Sequence, residues 1–133
     1  MIPDKLPVVS ITFEDDIRLT FLQIVSFDRL FEQNRLGTFY IVVNDRTPDA
    51  AEETKQALGS WIERSGMISE SMRRRIQILG WADIFPSVSK VGKRDQQAIK
   101  LGVSRLINED FYLILDGKNH FVRPSNIFDF FQE

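Results

Sequence analysis

The residues best suited to chemistry lie late in the chain, where the apolar run at positions 111–115 ends in Asp116, Gly117, Lys118 and Asn119. A carboxylate at the end of a buried strand needs a partner or a cation, because burying an unpaired charge is costly. The alternative is a simple turn, in which the Asp116 side chain accepts hydrogen bonds from nearby backbone N–H groups. Position alone supports the two interpretations equally.

Other chemical signatures are missing from the sequence. There is no cysteine, which excludes disulfides, thiolate metal sites and cysteine nucleophiles. Neither the GxGxxG nor the GxxxxGK[ST] pattern occurs, so a dinucleotide Rossmann site and a P-loop are not expected. The single histidine, His120, makes a catalytic triad or a multi-histidine metal site hard to assemble. We expect it to be an ordinary loop or strand residue.

The composition is that of one compact domain spanning residues 1–133, with 43% hydrophobic and 27% charged residues. A net charge of −2 argues against a nucleic-acid partner, and the basic triplet at 73–75 is interpreted as the solvated end of a helix. No apolar run approaches the roughly 20 residues of a transmembrane segment. The N-terminus is too polar for a secretory signal, so the predicted location is the cytoplasm.

The elements that must position the Asp116 motif alternate between strand and helix. Short β-branched or wholly apolar runs predict strands at residues 7–13, 38–45, 76–81 and 111–116. Helical spacing of apolar residues predicts helices at residues 14–33, 46–66 and 93–107, with shorter helical segments at 69–75 and from Pro124 onwards.

Several helix ends are marked by local signals. Thr47 can cap the helix that Pro48 begins, and Gly66 ends it. Gly37 is expected to stop the preceding helix or to form the following turn. In that first helix, Leu22 is expected to belong to a wide apolar face together with Ile17, Phe21, Ile24, Val25 and Leu30.

This alternation predicts a three-layer α/β fold, with a mostly parallel sheet of about four strands between helices. In such sheets ligands bind beyond the carboxyl ends of the strands, where the strand order switches. The candidate site residues are therefore those that follow the strands: Thr12, Glu14 and Asp15; Asn44, Asp45 and Arg46; Trp81 and Asp83; and residues 116–119.

A longer pattern surrounds the Asp116 motif. It consists of Gln-Gln at 96–97, Lys-Leu at 100–101, Asp-Gly-Lys-Asn at 116–119 and Arg-Pro at 123–124. With this combination the chain resembles nucleotide-sugar glycosyltransferases of the A-type fold, and it looks most similar to a mostly uncharacterised group of bacterial glycosyltransferase-like proteins. The opening strand and helix at 9–31 are also similar to that group, whereas residues 46–91 match only in outline.

The resemblance implies a nucleotide-diphosphate sugar bound across the strand ends, in a Rossmann-like half of the A-type fold. By position it assigns the nucleotide and diphosphate to Thr12, Glu14, Asn44, Asp45, Gln97, Lys100, Asp116 and Lys118. In the family, paired carboxylates hold Mn²⁺ or Mg²⁺ against the diphosphate, because a hard cation neutralises the charge that develops on the leaving group.

This chain departs from that pattern, because Lys118 occupies the second acidic position and would repel a metal ion. Three alternatives follow. Asp116 and Asn119 hold a metal weakly, Lys118 supplies the positive charge without a metal, or the site is inactive. We favour the second and third alternatives.

The family's chains also continue well beyond this motif, so we expect a nucleotide-binding half that is incomplete at its C-terminus. Turnover as a glycosyltransferase would then require further chain or a partner. The alternative is a non-catalytic interaction or dimerisation module that docks through Phe128, Phe130 and Phe131. A haloacid-dehalogenase-type phosphatase with Asp116 as nucleophile is less favoured, because that family needs its nucleophile strand early in the chain.

Overall fold

The computed structural model of the protein describes residues 2–85 and 95–131, without the side chains of residues 95–97. The strands are β1 (Leu6–Thr12), β2 (Leu36–Val43), β3 (Ile76–Gly80) and β4 (Leu113–Asp116). The α-helices are α1 (Ile17–Leu30), α2 (Pro48–Arg64), α3 (Glu70–Arg75), α4 (Trp81–Ile84) and α5 (Asp95–Gly102). Single 3₁₀ turns cover Glu14–Asp16, Gln33–Arg35, Val103–Arg105 and Ile127–Asp129. None of the described helices has the length and apolar character needed to cross a bilayer.

The four strands form one sheet in the order β3-β2-β1-β4, and every neighbouring pair is parallel. Parallel neighbours require crossover connections, and the helices between the strands provide them. Helices pack against both faces of the sheet. The predicted three-layer α/β fold with a parallel sheet is therefore confirmed.

The face of the sheet that packs on α1 and α2, called the α1–α2 face, carries the larger core. Its buried residues are Leu6, Val8, Ile24, Val25, Phe27, Phe31, Leu36, Phe39, Ile41, Leu58, Ile62, Ile68, Met72 and Ile127. Phe27 lies at its centre, with its ring 5.0 Å from that of Phe39 and 4.7 Å from that of Phe121. Burying one such aromatic side chain stabilises the fold by about 1.5–3 kcal/mol.

The opposite face packs on α4 and α5 and is called the α4–α5 face. Its buried residues are Val9, Ile11, Val42, Ile84, Ile99, Val103 and Ile107. The two short helices approach closely at Gly102, where an added Cβ would lie 2.4 Å from the Phe85 ring and 2.8 Å from Ile84. Successive residues of β1 alternate between the two faces, as the period of a strand requires.

The predicted ends of α2 are confirmed. Thr47 accepts a hydrogen bond from the Ala50 N–H at 3.1 Å, and Pro48 begins the helix. Gly66 follows the helix with a φ of 69°, a left-handed conformation that glycine adopts without the usual steric cost. These features are local in sequence, which is why the residue types alone predicted them.

Gly37 was wrongly predicted as a helix stop or turn, because it lies inside β2. The register between β1 and β2 shifts here, with Leu6 opposite Leu36 but Val8 opposite Phe39. An added Cβ at Gly37 would lie 3.1 Å from the backbone nitrogen of Pro7. The glycine therefore permits an irregularity in the strand pairing, a long-range contact that no local signal marks.

Two further predictions need correction. Leu22 was assigned to the apolar face of α1, but it is 43% exposed, because the core side of the helix is occupied by its neighbours Ile24 and Val25. The segment after Pro124 forms only the 3₁₀ turn Ile127–Asp129 rather than a helix. That turn is capped by Asn126, whose side chain accepts a hydrogen bond from the Phe128 N–H.

The C-terminal segment runs along α1 and covers the edge of the core. The Phe121 N–H donates to the Ser26 hydroxyl at 3.1 Å, and the Ser125 N–H donates to the Leu30 carbonyl at 2.7 Å. Of the three phenylalanines expected at an exposed core edge, Phe128 is 60% and Phe130 39% exposed. The third, Phe131, is half-buried and packs against Phe111.

Candidate functional site

The strand order reverses between β1 and β4. From β1 the chain moves outward through β2 to β3, and it then returns to place β4 on the other side of β1. The connections change face at the same point, because α1 and α2 cover one side of the sheet and α4 and α5 cover the other. A crevice beyond the carboxyl ends of such strands is the usual ligand site of open parallel sheets.

Two hydroxyl groups meet where α1 packs against the ends of β1 and β4. The buried Thr20 Oγ1 of α1 lies 2.7 Å from Thr12 Oγ1 at the end of β1 and 3.1 Å from the Gly117 carbonyl oxygen. A hydroxyl has one hydrogen, so all three groups are satisfied when Thr12 donates to Thr20 and Thr20 donates to the carbonyl. These bonds join α1, β1 and the residue that follows β4.

The Asp116–Gly117 backbone has little freedom. The Gly117 N–H donates to the Ile11 carbonyl at 2.9 Å, which extends the β1–β4 ladder by one residue. A Cβ at Gly117 would lie 2.4 Å from Thr20 Oγ1 and 3.0 Å from Thr12 Cβ. Glycine is required here by the close approach of three elements, and the predicted Asp-Gly-Lys-Asn motif begins from a fixed point.

Gln23 of α1 supports the same backbone one residue earlier, at Asp116. Its Nε2 donates to the Asp116 carbonyl oxygen at 2.9 Å, and the side chain is fully buried. Asn119 closes a turn on Asp116, because its N–H donates to the Asp116 carbonyl at 3.1 Å and its Oδ1 accepts from the Asp116 N–H at 3.2 Å. A turn therefore follows β4, and the side chain that bonds its backbone is that of Asn119.

The Asp116 side chain belongs to the α4–α5 face. In β4, Leu113 and Leu115 pack against the α1–α2 face and Ile114 against the other, so alternation assigns Asp116 to the side of Ile114. Its partner in register, Ile11, is buried on that same side. Lys100 is half-buried on α5, which covers this face, and Lys118 is exposed in the turn. The side chain of Gln97 lies outside the described residues.

The loops after β1 and β2 are tied together. The Asn44 N–H donates to the Thr12 carbonyl at 2.7 Å, and the Glu14 N–H donates to Asp45 Oδ1 at 3.0 Å. Asp45 is only 8% exposed, whereas the Glu14 side chain is exposed. Asp45 therefore holds the start of the 3₁₀ turn Glu14–Asp16 against the end of β2.

The predicted residues thus divide into two groups. Thr12, Glu14, Asn44 and Asp45 are linked by the hydrogen bonds between the first two loops, and Asp116 joins them through the register of β1 and β4. Lys118 and Lys100 form the second group, which is not part of this hydrogen-bond network: Lys118 lies in the turn after β4, and Lys100 lies on α5.

Asp83 accepts a hydrogen bond from the Gly80 N–H at 2.7 Å, which gives it a structural role. His120 is an exposed residue outside the helices and strands.

Sequence reasoning missed Thr20 and Gln23, the two residues of α1 that contact the motif. A signal was present, because Thr20, Gln23 and Ser26 recur at intervals of three among the apolar residues of the helix. Polar residues on the buried side of a helix need partners, and here the partners lie more than 90 positions later in the chain. The pattern marks a polar stripe, but the identity of its partners depends on the fold.

The Asp-Gly-Lys-Asn motif offers few oxygen ligands for a divalent cation. Among residues 2–85 and 95–131, no group of three or more histidine, cysteine, aspartate or glutamate side chains is placed to hold a metal. Asn119 Oδ1 accepts a bond from the backbone, and the exposed ammonium of Lys118 lies two residues from Asp116. These residues do not fit a metal held by the protein alone, because Mn²⁺ and Mg²⁺ prefer several carboxylate and other oxygen ligands.

Comparison with known protein families matches residues 6–132 to a family described as a family of unknown function (DUF6492). No curated protein and no solved structure matches the chain. The matched residues include all four strands and both loops at the carboxyl edge of the sheet. The chain therefore belongs to the DUF6492 family.

Proposed function

We propose that the protein binds a nucleotide-diphosphate sugar at the carboxyl edge of its sheet, as a glycosyltransferase-like domain. The observation that carries this proposal is the reversal of strand order between β1 and β4, with Thr12 and Asp116 at the ends of those two strands. Open parallel sheets bind nucleotides at such a point. The motif that resembles the glycosyltransferase pattern begins there, at the end of β4.

In this proposal the linked loops after β1 and β2 receive the nucleoside. Their geometry is fixed by the bonds from Asn44 to Thr12 and from Glu14 to Asp45. A fixed surface loses little conformational entropy when it binds a ligand, which favours affinity. The Asp116–Asn119 turn lies beside them and receives the diphosphate.

Lys118 supplies the positive charge at the diphosphate. The donor set is poor for a metal held by the protein, and lysine binds phosphate as a point charge. A hydrogen bond to a charged group contributes about 1.5–3 kcal/mol, so loss of the Lys118 ammonium should weaken diphosphate binding at least about tenfold. Added salt should weaken the wild-type interaction, because Lys118 is exposed to solvent.

The test is calorimetric titration of the five common nucleoside diphosphates and their sugar derivatives, with Mn²⁺ and separately with EDTA. Lys118→Met should weaken binding, whereas the matched control Lys5→Met, which removes the same charge ahead of β1, should not. Equal affinity in EDTA and in Mn²⁺ would support a site without metal. Absence of binding under every condition would refute the proposal.

A second candidate is an interaction module that associates through its C-terminal segment. The observation that favours it is the exposure of Phe128 and Phe130 in the 3₁₀ turn and directly after it. Sedimentation equilibrium of wild type and Phe128→Ser compares the two proteins. A concentration-dependent dimer that the substitution weakens would support this candidate, and a monomer at every concentration would count against self-association.

A further inference from the structure

Two side chains of α1 hold two consecutive peptide groups at the end of β4. Gln23 Nε2 lies 2.9 Å from the Asp116 carbonyl oxygen, and Thr20 Oγ1 lies 3.1 Å from the Gly117 carbonyl oxygen. Both side chains are fully buried. The backbone of the proposed diphosphate turn is thus fixed from the helix that follows β1.

Stability alone does not account for Gln23. Within the described residues its Oε1 is buried and has no hydrogen-bond partner. An unsatisfied buried acceptor is destabilising, and an apolar side chain of similar size, such as methionine, would avoid that penalty. The Asp116 carbonyl does not depend on Gln23 for a partner either, because it also accepts from the Asn119 N–H. What Gln23 provides is a fixed direction for this carbonyl.

Thr20 constrains Gly117, the residue after Asp116, both by its volume and by a hydrogen bond. A Cβ on Gly117 would lie 2.4 Å from Thr20 Oγ1, so the helix and the turn are in close contact at this point. The Gly117 N–H is held on the other side by the Ile11 carbonyl. Residue 117 therefore has fixed contacts at both its N–H and its C=O, and the Lys118 side chain extends from a rigid base.

We propose that Thr20 and Gln23 are positioning residues that hold the Asp116–Gly117 backbone in the conformation that receives a diphosphate. This role rests on the proposed function, since the turn must bind a ligand for its position to affect affinity. Neither side chain needs to touch the ligand. Their effect passes through the backbone to the Asp116 carboxylate and the Lys118 ammonium.

The test compares Gln23→Met and Thr20→Val with wild type and with Thr20→Ser, which keeps the hydroxyl group. The ligands are the nucleoside diphosphate that wild type binds best and the same nucleoside without phosphates. Gln23→Met and Thr20→Val should bind the diphosphate about tenfold more weakly, equivalent to about 1.4 kcal/mol. Gln23→Met should leave the affinity for the nucleoside unchanged, because the Gln23 side chain bonds only the Asp116 backbone, and Thr20→Ser should keep wild-type affinity for the diphosphate.

The outcomes separate this role from the function on which it rests. No binding of any nucleotide by wild type overturns the proposed function and the positioning role with it. Normal wild-type binding with unchanged affinity in both variants overturns the positioning role alone. Equal losses for nucleoside and diphosphate in Gln23→Met also overturn it, because they indicate a general structural defect. Amide exchange provides a second measurement: the Gly117 N–H should exchange at least threefold faster in Thr20→Val, and an unchanged rate contradicts the proposal.

Discussion

Replacing Gly117 with alanine tests the close packing at the carboxyl edge of the sheet. The new Cβ would lie 2.4 Å from Thr20 Oγ1, 3.0 Å from Thr12 Cβ and 3.1 Å from the Ile11 carbonyl oxygen. Two of these atoms lie on β1 and the third on α1, so relief requires movement of the turn away from the sheet. That movement would stretch the bonds from Gly117 to Ile11 and Thr20.

The expected cost follows from three contributions. Overpacking a tight site destabilises by about 1–3 kcal/mol. Weakening the Thr20–Gly117 hydrogen bond adds about 1 kcal/mol. The smaller conformational entropy of alanine in the unfolded chain offsets about 0.4–1 kcal/mol of this. The net loss is about 2 kcal/mol, and for a domain of this size it lowers the melting temperature by about 8 °C.

Urea unfolding followed by circular dichroism measures this loss, and Gly59→Ala in α2 is the matched control. A Cβ at Gly59 meets only the Ile78 side chain at an ordinary 3.9 Å, so alanine should stabilise the helix by about 0.5–1 kcal/mol. The same glycine-to-alanine substitution should therefore stabilise the protein at position 59 and destabilise it at position 117. A Gly117→Ala protein within about 0.5 kcal/mol of wild type would refute the close packing, since surface substitutions have effects of that size.

The remaining predictions concern the ends of helices and turns. Gly66→Ala should destabilise the protein by about 1–2 kcal/mol, measured by urea unfolding, because alanine is strained at a φ of 69°. Gly66→Asn should destabilise it less, and equal losses of stability in the two variants would contradict this. Thr47→Ala should lose about 1 kcal/mol and Thr47→Ser almost none, since the hydroxyl caps the Ala50 N–H; equal losses would contradict the cap. Hydrogen bonds from the Ser125 hydroxyl and the Asn126 N–H lower the pKa of Asp129, with a smaller contribution from Arg123. A lowered pKa in the folded state means that the stabilisation is present at neutral pH and is lost as the pH falls below about 4. The stability advantage of wild type over Asp129→Asn should therefore be smaller at pH 3 than at pH 7, and a constant difference in urea titrations would contradict this.

Local chemistry predicted features whose causes lie within a few residues. Thr47, Pro48 and Gly66 set the ends of α2 by capping, a fixed φ and a left-handed conformation, each of which needs no distant partner. Gly37 was misjudged because its reason for being glycine is the Pro7 backbone, about 30 positions earlier in the chain. The same residue type thus has a local cause at one position and a tertiary cause at another.

The candidate site shows the same division. The sequence singled out Asp116, because a carboxylate at the end of an apolar run is unusual. It did not indicate that Asn119 would bond the backbone of Asp116, or that Gln23 would support the same carbonyl. Those contacts depend on which helix lies beside the last strand, and the composition of a segment does not contain that information.

The sequence by itself predicted the four strands and the main helices between them, and hence the parallel α/β class, because hydrophobic periodicity is a property of each segment. It also singled out Asp116, at the end of β4, as a candidate site residue. Only the tertiary structure decided that β4 pairs with β1 rather than with β3, which brings Thr12, Thr20 and Gly117 into contact. Strand order is set by packing between segments far apart in the chain, and for this reason the site appears only once the sheet is assembled.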